Sequence, residues 1–352
     1  MIYRLPIDAF LAAAASGPLL DVRAPAEFEA GHMPGAVSFP IFTDEERKRI
    51  GTLYKQAGHD RAVIEGLHFL GPRMAEVVKK ANKLFPGKKV RMHCWRGGLR
   101  SGTMAWLLDL GGFEVTLLDN GYKSWRNYVL QTFAQPWQFV ILGGMTGSGK
   151  TDLLKQLHNA GEQVIDLEGL AHHKGSSFGG IDQPAQPTQE QFENILAAQL
   201  LQLDRKKRIW VEDENNTIGR LVVPKTLYAQ MKSAPVVLAE VAREQRVKKL
   251  AREYCQTNPG LLRQAVQRIQ KRLGGLATKQ ALEAIETNQM EQMVNIVLHY
   301  YDKAYTFLLN ERGPEQMVKV ELDLGDFESA VPELMKAAEN VSKQWLPNPV
   351  RA

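Results

Sequence analysis

The sequence predicts an α/β protein made of two parallel-sheet domains, the second of which carries an additional helical region. Short apolar runs alternate with helical patterns in the first third of the chain and again from residue 137 onwards. This alternation is typical of parallel sheets with helices on both faces. At roughly 150 residues per domain, the 352 residues correspond to about two domains. We predict an N-terminal domain over 1–130, a linker over 131–136 and a second domain over 137–352, with a helical basic region at about 242–312.

Composition excludes several classes of protein. Hydrophobic residues make up 44% of the chain and charged residues 24%, a globular balance that excludes a largely disordered chain. No stretch approaches the ~18 consecutive apolar residues of a membrane span, and the alanine-rich segment 11–16 lacks the basic flank of a signal peptide. The two cysteines form no CxxC or Cys/His cluster. A disulfide scaffold and a zinc site are therefore not expected, and a reducing, cytoplasmic location is favoured.

The elements of each domain are predicted from apolar periodicity. In the first domain, strands are predicted over Leu19–Val22, Val37–Phe39, Lys89–His93 and Glu114–Leu118, and helices over Met74–Leu84 and Ser101–Leu110. In the second domain, strands are predicted over Trp137–Leu142, Val164–Leu167, Arg208–Val211, Pro235–Leu238 and Val318–Leu322. The segment Gly175–Gln189 is rich in Gly, Ser, Pro and Gln and predicts a mobile loop.

Cys94 lies in a glycine- and arginine-rich segment between a predicted strand and a predicted helix. Ligands of parallel α/β sheets bind at this edge, beyond the carboxyl ends of the strands. Backbone amides and the helix dipole attract anions there and stabilise a thiolate. Two glycines allow the loop to curl, and two arginines add positive charge. We therefore predict a catalytic site composed of Cys94, Arg96, Gly97, Gly98 and Arg100.

Two further segments of the first domain belong to the same family pattern as the cysteine loop. Asp21–Phe28 reads DVRAPAEF and Gly31–Ala36 reads GHMPGA. Together with the loop they make the N-terminal domain resemble a rhodanese-like domain, a resemblance that implies sulfur or selenium transfer on a cysteine. Common single-domain rhodaneses have four residues between the cysteine and the closing arginine, whereas here Trp95–Leu99 supplies five. The longer loop is similar to that of rhodanese-related tyrosine phosphatases. Whether this loop accepts sulfur, selenium or a phosphate ester therefore stays open.

The second domain opens with a phosphate-binding motif. Gly144–Thr151 reads GMTGSGKT and fits GxxxxGK[ST]. It follows a predicted strand and opens the amphipathic helix predicted over Asp152–His158, which is the context that the motif requires. We predict a P-loop NTPase-like domain in which loop amides and Lys150 bind phosphates and Thr151 holds Mg²⁺. The predicted diphosphate-binding residues are Gly144, Thr146, Gly147, Ser148, Gly149, Lys150 and Thr151.

Acidic residues follow two other predicted strands of this domain. Ile209–Glu214 is an apolar run that ends in acids, as a Walker-B strand does. Which of Glu212 and Asp213 would face a metal stays open. The segment Asp166–Phe178 follows a neighbouring strand, and it either closes over a substrate or forms a solvated loop. The candidate metal or phosphate-edge residues are Asp166, Glu212 and Asp213, and no metal ligand is assigned with certainty.

Positive charge is concentrated in one helical stretch. Residues 241–280 hold ten Lys or Arg against two acids, a local charge of +8, whereas the whole chain carries +5 and the remainder is therefore −3. Clustered positive charge on helices suits an RNA phosphate backbone, and Tyr254 is expected to stack on an unpaired base. A solvated helical face is the alternative. The candidate RNA-binding residues are Arg243, Arg246, Lys248, Lys249, Arg252, Arg263, Arg268, Lys271 and Arg272.

The combination of these parts resembles the bacterial tRNA 2-selenouridine synthase family over essentially the whole chain. The segments that carry the resemblance are HCWRGGLRS (93–101), GGMTGSGKT (143–151), DLEGLAHHKGSSFG (166–179) and WVEDE (210–214). The resemblance implies that the 2-thio sulfur of a tRNA wobble uridine, at position 34, is replaced by selenium from selenophosphate. It also implies an S-geranylated 2-thiouridine intermediate made from geranyl diphosphate.

The resemblance further implies roles for the predicted sites. Cys94 would be the nucleophile or selenium carrier, and the basic helices would bind the anticodon arm of tRNA. The loop at Lys150 would bind a diphosphate, but the motif does not distinguish a nucleotide from geranyl diphosphate. Selenophosphate and geranyl diphosphate are the expected co-substrates, with Mg²⁺ as a candidate ion and a selenophosphate-supplying enzyme as a candidate partner.

Two other functions are consistent with the motifs. The five-residue cysteine loop and the phosphate loop together would suit a rhodanese-type phosphatase fused to a small-molecule kinase. A non-catalytic RNA-binding protein is the second alternative. The presence of both Cys94 and Lys150 argues against that second alternative, because a vestigial site has no reason to keep its nucleophile and its phosphate lysine together.

Overall fold

The computed structural model describes residues 1–344, which divide into two units. The first contains Met1–Phe133 and Glu193–Ala198, and the second contains Ala134–Phe192 and the described chain from Gln199 onwards. Each unit is built on a five-stranded sheet in which every strand pair is parallel. The predicted α/β class with two parallel sheets is confirmed.

The first unit places one strand at the centre of its sheet. Its strands are β1 (Ile2–Leu5), β2 (Leu19–Asp21), β3 (Val37–Ser38), β4 (Lys89–His93) and β5 (Glu114–Leu118). Its helices are α1 (Ile7–Ala12), α2 (Pro25–Ala30), α3 (Asp44–Ala57), α4 (His59–Leu70), α5 (Met74–Leu84), α6 (Leu99–Leu110) and α7 (Gly121–Ala134). The strands pair in the order β1-β5-β4-β2-β3, so the strand that leads to Cys94 lies in the middle.

Alternating strands and helices bury one continuous core around β4. The core includes Val90, Met92, Met104, Leu108, Val115 and Leu117, none of which is more than 1% exposed. Burial of each such side chain contributes about 1.5–3 kcal/mol relative to exposure. The bounds predicted for β4, β5 and α5 are confirmed, and β2 and β3 each end one residue before the predicted position. Strand β4 therefore ends at His93, as its apolar run predicts, and the cysteine loop begins at the next residue.

The segment predicted as a linker is mostly helical. Helix α7 continues to Ala134, so four of the six residues in 131–136 belong to it. Val129 and Phe133 lie one helical turn apart and are both buried. Apolar residues at this spacing form the stripe by which a helix packs against a core. The helix ends before Pro136, since the residue that precedes a proline is disfavoured in helical geometry.

The second unit places the phosphate-loop strand at the centre of its own sheet. Its strands are β6 (Phe139–Gly144), β7 (Gln163–Ile165), β8 (Ile209–Glu212), β9 (Thr217–Ile218), β10 (Leu221–Val222), β11 (Val236–Val241) and β12 (Met317–Leu322). The order is β12-β11-β6-β8-β7, and β9 and β10 form a separate antiparallel pair. Because β7 and β8 lie on one side of β6 and β11 and β12 on the other, the chain reverses its winding at β6, where such sheets bind ligands.

Helices follow most strands of the second sheet and dominate the region after β11. They are α8 (Lys150–Asn159), α9 (Leu167–Ala171), α10 (Gln189–Leu200), α11 (Lys225–Ser233), α12 (Arg243–Tyr254), α13 (Pro259–Arg268), α14 (Gln270–Leu273), α15 (Gly275–Glu286), α16 (Met290–Leu309) and α17 (Phe327–Gln344). Helices α12 to α16 share their own core, which includes Leu262, Val266, Met293 and Val294. The predicted helical region after residue 242 is thus present. Within residues 1–344, no helix is long and apolar enough to cross a membrane.

Candidate functional site

Cys94 lies directly after β4, in a loop that leads into α6. Its side chain is 3% exposed, and its Sγ lies 3.2 Å from Ser101 Oγ in the first turn of α6. Among residues 1–344, the amide groups of Arg96, Gly97 and Gly98 donate to no other group. Free amides at a helix N-terminus bind anions. The loop therefore offers donors to an anionic group placed over the thiol.

The shape of this loop depends on Gly121, the first residue of α7. A Cβ on Gly121 would lie 2.3 Å from Cys94 O and 2.5 Å from Gly97 N, and its φ of +57° is unfavourable for other residues. The next two amides of α7 hold the loop, since Tyr122 N donates to Cys94 O at 2.8 Å and Lys123 N donates to Trp95 O at 3.0 Å. Gly121 escaped prediction because it is distant in sequence from the loop that it shapes.

A buried ion pair lies within the same unit and joins the two segments that resemble rhodaneses. Arg23 and Asp21 are both fully buried, with 2.6 Å between Nη2 and Oδ2. Arg23 also donates to Gly31 O at 2.6 Å, and its guanidinium carbon lies 3.8 Å from the centre of the Tyr122 ring. Burial lowers the pKa of the neighbouring His93 to about 4, so this ring is neutral at pH 7. The permanent charge beside Asp21 is therefore that of Arg23.

The two arginines predicted for the catalytic loop differ in their surroundings. Arg100 Nη1 lies 2.5 Å from Glu27 Oε2, and this ion pair draws the Arg100 guanidinium toward α2. Arg96 is exposed and forms no ion pair with any residue that the structure describes. Arg100 is thus partly neutralised, and Arg96 is the arginine of the loop that is available to an incoming anion.

The phosphate loop connects β6 to α8 in the second unit. Gly147 and Gly149 have φ of +85° and +81°, which only glycine adopts without strain. Lys150 Nζ donates to Gly144 O at 3.0 Å, and Ser148 Oγ is buried without a hydrogen-bond partner in residues 1–344. All seven residues predicted to bind diphosphate line one cavity of about 670 Å³.

Apolar and aromatic side chains line the same cavity. They are Phe178, Ile181, Leu250, Tyr254, Ala304 and Leu308. Phe178 is 4% exposed and stacks on Tyr254, with 5.4 Å between ring centres. Ser177 N donates to Tyr301 OH at 3.0 Å. The segment after α9 is therefore packed against the helices and is not a solvated loop. The ring of Tyr254 thus has one face on Phe178, and its stacking on a base stays a prediction.

A group of carboxyl side chains lies close together near the cavity, and two of them, Glu168 and Glu214, line it. Glu212 is 2% exposed and accepts the Glu168 N–H at 2.6 Å. Burial, followed by the charge of Glu168, raises the pKa of Glu214 well above its ordinary value, although Lys150 opposes this. A Cβ on Gly175 would lie 2.7 Å from both Glu214 carboxyl oxygens and 2.9 Å from Glu168 Oε1. Glu168 and Glu214 were not predicted as site residues, because only the fold brings them together.

The acids predicted to face a metal have other partners. Asp166 caps α9 and accepts the Gly169 N–H at 2.7 Å. Asp213 accepts Tyr305 OH at 2.9 Å on Oδ2 and Arg312 Nη2 at 2.6 Å on Oδ1. In the part of the chain that the structure describes, no group of three or more His, Cys, Asp or Glu could hold a metal ion. Asp166 and Asp213 are thus engaged by protein groups, whereas Glu212 Oε2 is buried without a hydrogen-bond partner in residues 1–344, and Mg²⁺ binding by these acids stays a prediction.

The predicted RNA-binding residues fall into two groups. Arg246 is 3% exposed, pairs with Asp302 at 2.8 Å and donates to Thr146 O at 3.2 Å, so it supports the phosphate loop and is not on a surface. Arg243 pairs with Asp302 at 3.3 Å, and Lys249 pairs with Asp152 at 2.5 Å. The exposed members are Lys248, Arg252, Arg263, Arg268, Lys271 and Arg272.

The folds and sites define a class of protein in which a rhodanese-like domain is joined to a P-loop domain. The family model of the rhodanese-like domain matches residues 7–128, and the model described as "tRNA 2-selenouridine synthase AAA domain" matches residues 137–323. Several similar proteins carry the name tRNA 2-selenouridine synthase. The protein of Sulfurovum sp. (strain NBC37-1) is 39% identical over 318 residues, which is 84% of this chain and 86% of that protein.

Two further relatives match over similar shares of the two chains. The protein of Bordetella petrii is 37% identical over 327 residues, covering 82% of this chain and 86% of the relative. The protein of Marinobacter nauticus is 36% identical over 344 residues, covering 86% and 91%. The chain belongs to the tRNA 2-selenouridine synthase family, a family of enzymes, and the resemblance inferred from its motifs is confirmed.

Gly121→Ala should disturb the cysteine loop from a distance in sequence. The added Cβ overlaps the loop backbone and the φ is positive, so we expect a loss of stability of more than about 1 kcal/mol. The measurement is the midpoint of thermal unfolding together with the rate of Cys94 alkylation. Gly87→Ala is the control, since a Cβ there meets nothing within 4 Å. Equal midpoints for the two variants would contradict this account.

Glu212→Gln should change how stability depends on pH. Burial and then the nearby Asp166 raise the pKa of Glu212 well above its ordinary 4.5. The folded state thus keeps a proton that the unfolded state releases, so the free energy of unfolding falls as the pH rises above 4.5. We expect the variant to melt a few degrees above the wild type at about pH 8 and at the same temperature near pH 4. The control Glu333→Gln replaces an exposed carboxyl group and should melt at the same temperature as the wild type at both pH values. A difference in melting temperature between Glu212→Gln and the wild type that is the same at both pH values would refute the raised pKa of Glu212.

Proposed function

We propose that this chain replaces the 2-thio sulfur of the tRNA wobble uridine, position 34, with selenium from selenophosphate. The intermediate in this proposal is S-geranylated 2-thiouridine, made from geranyl diphosphate. The observation that carries the proposal is the cavity of about 670 Å³, which is lined both by the phosphate loop and by apolar side chains. It occurs in a chain whose relatives are named for 2-selenouridine.

The cavity has the two surfaces that a prenyl diphosphate needs. The loop amides and Lys150 bind the diphosphate, and Phe178, Leu250 and Leu308 face the hydrocarbon. Each methylene removed from water contributes about 0.8 kcal/mol. In the transfer step the thiocarbonyl sulfur attacks C1 of the geranyl group, the C1–O bond breaks, and the electron pair leaves with the diphosphate. The base then loses its N3 proton to solvent or to a nearby group.

The exchange step uses the thiol site of the first unit. After S-alkylation, C2 of the base is more electrophilic, so the Cys94 thiolate attacks C2, the C2–S bond to the geranylated sulfur breaks, and that sulfur leaves as geranyl thiol. The selenium of selenophosphate then displaces Cys94 from C2, and water breaks the P–Se bond, so that phosphate leaves and the selenium stays on C2. The free loop amides and Arg96 lie beside Cys94. A separate enzyme supplies selenophosphate in this proposal.

The exposed basic side chains would bind the tRNA. Lys248 and Arg252 on α12 and Arg263 and Arg268 on α13 are open to solvent. Each phosphate contact releases counterions, so binding should weaken steeply with salt. The rhodanese-type phosphatase fused to a small-molecule kinase is the rival function, and hydrolysis of an aryl phosphate at Cys94 would favour it.

Cys94→Ala should abolish selenium incorporation and leave geranylation intact, because the thiol and the phosphate loop act in different steps. The measurement is nucleoside mass spectrometry on bulk tRNA from cells that lack the protein, complemented with wild type or variant and grown with selenite. Cys255→Ala is the matched control, since that thiol is exposed and lies outside both sites. Loss of both modifications in a folded Cys94→Ala protein would contradict the division of roles.

Lys150→Ala should weaken binding of geranyl diphosphate, because the variant lacks the positive charge that the loop brings to the phosphates. A charge-assisted hydrogen bond contributes about 1.5–3 kcal/mol, which corresponds to a loss of roughly tenfold to 150-fold in affinity. Calorimetric titration with geranyl diphosphate measures it. The exposed Lys319→Ala serves as the control. An unchanged affinity for Lys150→Ala would remove the loop from this role.

A further inference from the structure

Arg312 reaches the phosphate-loop cavity from the chain that follows α16. Its side chain is 9% exposed, and its Nη2 donates to Asp213 Oδ1 at 2.6 Å. Its other terminal nitrogen, Nη1, is buried and has no hydrogen-bond partner in residues 1–344. A guanidinium is permanently charged, and a buried donor without an acceptor is costly. Arg312 Nη1 therefore lacks a hydrogen-bond acceptor, and a bound anion would supply one.

Three successive hydrogen bonds fix Arg312 relative to the phosphate loop. Arg312 donates to Asp213, whose other oxygen accepts the Tyr305 hydroxyl at 2.9 Å, and this hydroxyl accepts the Gly144 N–H at 2.9 Å. Asp213 N donates in turn to Leu142 O at 3.0 Å, which holds it beside the end of β6. The charge of Arg312 is thus held at a set position near the first glycine of the loop.

This chain of contacts changes the role expected for Asp213. In metal-dependent P-loop enzymes the corresponding carboxylate holds Mg²⁺ beside the phosphates. Here both oxygens of Asp213 are taken by Tyr305 and Arg312. The guanidinium of Arg312 therefore lies beside the Asp213 carboxylate, at the place where the motif predicts a metal ion.

We propose that Arg312 is a direct ligand of the diphosphate bound by the phosphate loop, and that Asp213 positions this arginine instead of a metal ion. The inference rests on the proposed function, in which that diphosphate belongs to geranyl diphosphate. A guanidinium presents its donors as a fork: Nη2 binds Asp213, and Nη1 binds a diphosphate oxygen. When the C1–O bond of the geranyl group breaks, the electron pair moves onto the diphosphate, and Arg312 and Lys150 stabilise the added charge.

The test compares binding and transfer in variants of the full chain. Arg312→Gln should weaken binding of both inorganic diphosphate and geranyl diphosphate at least about tenfold, the equivalent of 1.4 kcal/mol, and slow single-turnover geranyl transfer to 2-thiouridine tRNA. Arg312→Lys should lose less, because it keeps the charge without the fork. Asp213→Asn should weaken binding in the same direction, with the Mg²⁺ dependence of binding unchanged.

Two further variants keep the test decisive. Arg312→Gln alone leaves Asp213 partly unpaired and could unfold, so the double variant Arg312→Gln/Asp213→Asn removes the pair together and should show the same loss of binding. Lys319→Gln removes an exposed positive charge that lies outside the cavity lining, where Lys319 pairs with Glu240 at 2.6 Å. It should change affinity less than about threefold, as expected for a screened surface charge.

Each outcome separates the inference from the function on which it rests. Unchanged diphosphate affinity in folded Arg312→Gln would overturn the role of Arg312. A defect of Asp213→Asn that added Mg²⁺ reverses would make Asp213 a metal ligand and overturn its positioning role. If the wild type binds inorganic diphosphate but not geranyl diphosphate, the proposed function fails, whereas loss of inorganic diphosphate binding in Arg312→Gln would still support the role of the arginine.

Discussion

Both sites depend on the common direction of the strands in each sheet. When every strand pair is parallel, the carboxyl ends of all strands meet at one edge, and loops that leave that edge lead into helix N-termini. In the first unit the central strand β4 brings Cys94 to that edge. In the second unit β6 brings Gly144 there, and the register that pairs Leu142 with Glu212 places Asp213 next to it. A single rule of sheet geometry thus positions a thiol in one unit and a phosphate loop in the other.

Close packing holds both loops in shape, and charged side chains add to it in the second. Around Cys94, Gly121 leaves no space for a side chain. Around the phosphate loop, Gly147 and Gly149 likewise leave none, and in addition Tyr305 binds Gly144 and connects it through Asp213 to Arg312. Both loops are therefore sensitive to added volume, and the second is also sensitive to a change of charge.

Much of the fold and the centre of each site could be predicted, because the decisive information is local in sequence. The strand, glycines and helix around Cys94 are contiguous, and so are those around Lys150. The errors concern residues whose partners are distant. Arg246 matches the pattern of an exposed basic helix, yet Asp302, 56 residues further along, holds it inside. Charge spacing alone does not tell which side of a helix is buried, and no local signal connects Asp213 with Arg312, 99 residues away.

The contact between Arg246 and the carbonyl of Thr146 has a consequence for interpreting substitutions in α12. This helix has two functional surfaces: an inner one that supports the phosphate loop and an outer one of solvated cations such as Lys248 and Arg252. A scan that replaces every basic residue of α12 with alanine therefore mixes two phenotypes. Loss of activity at Arg246 reports on the shape of the loop, and only loss at the outer positions reports on contact with nucleic acid.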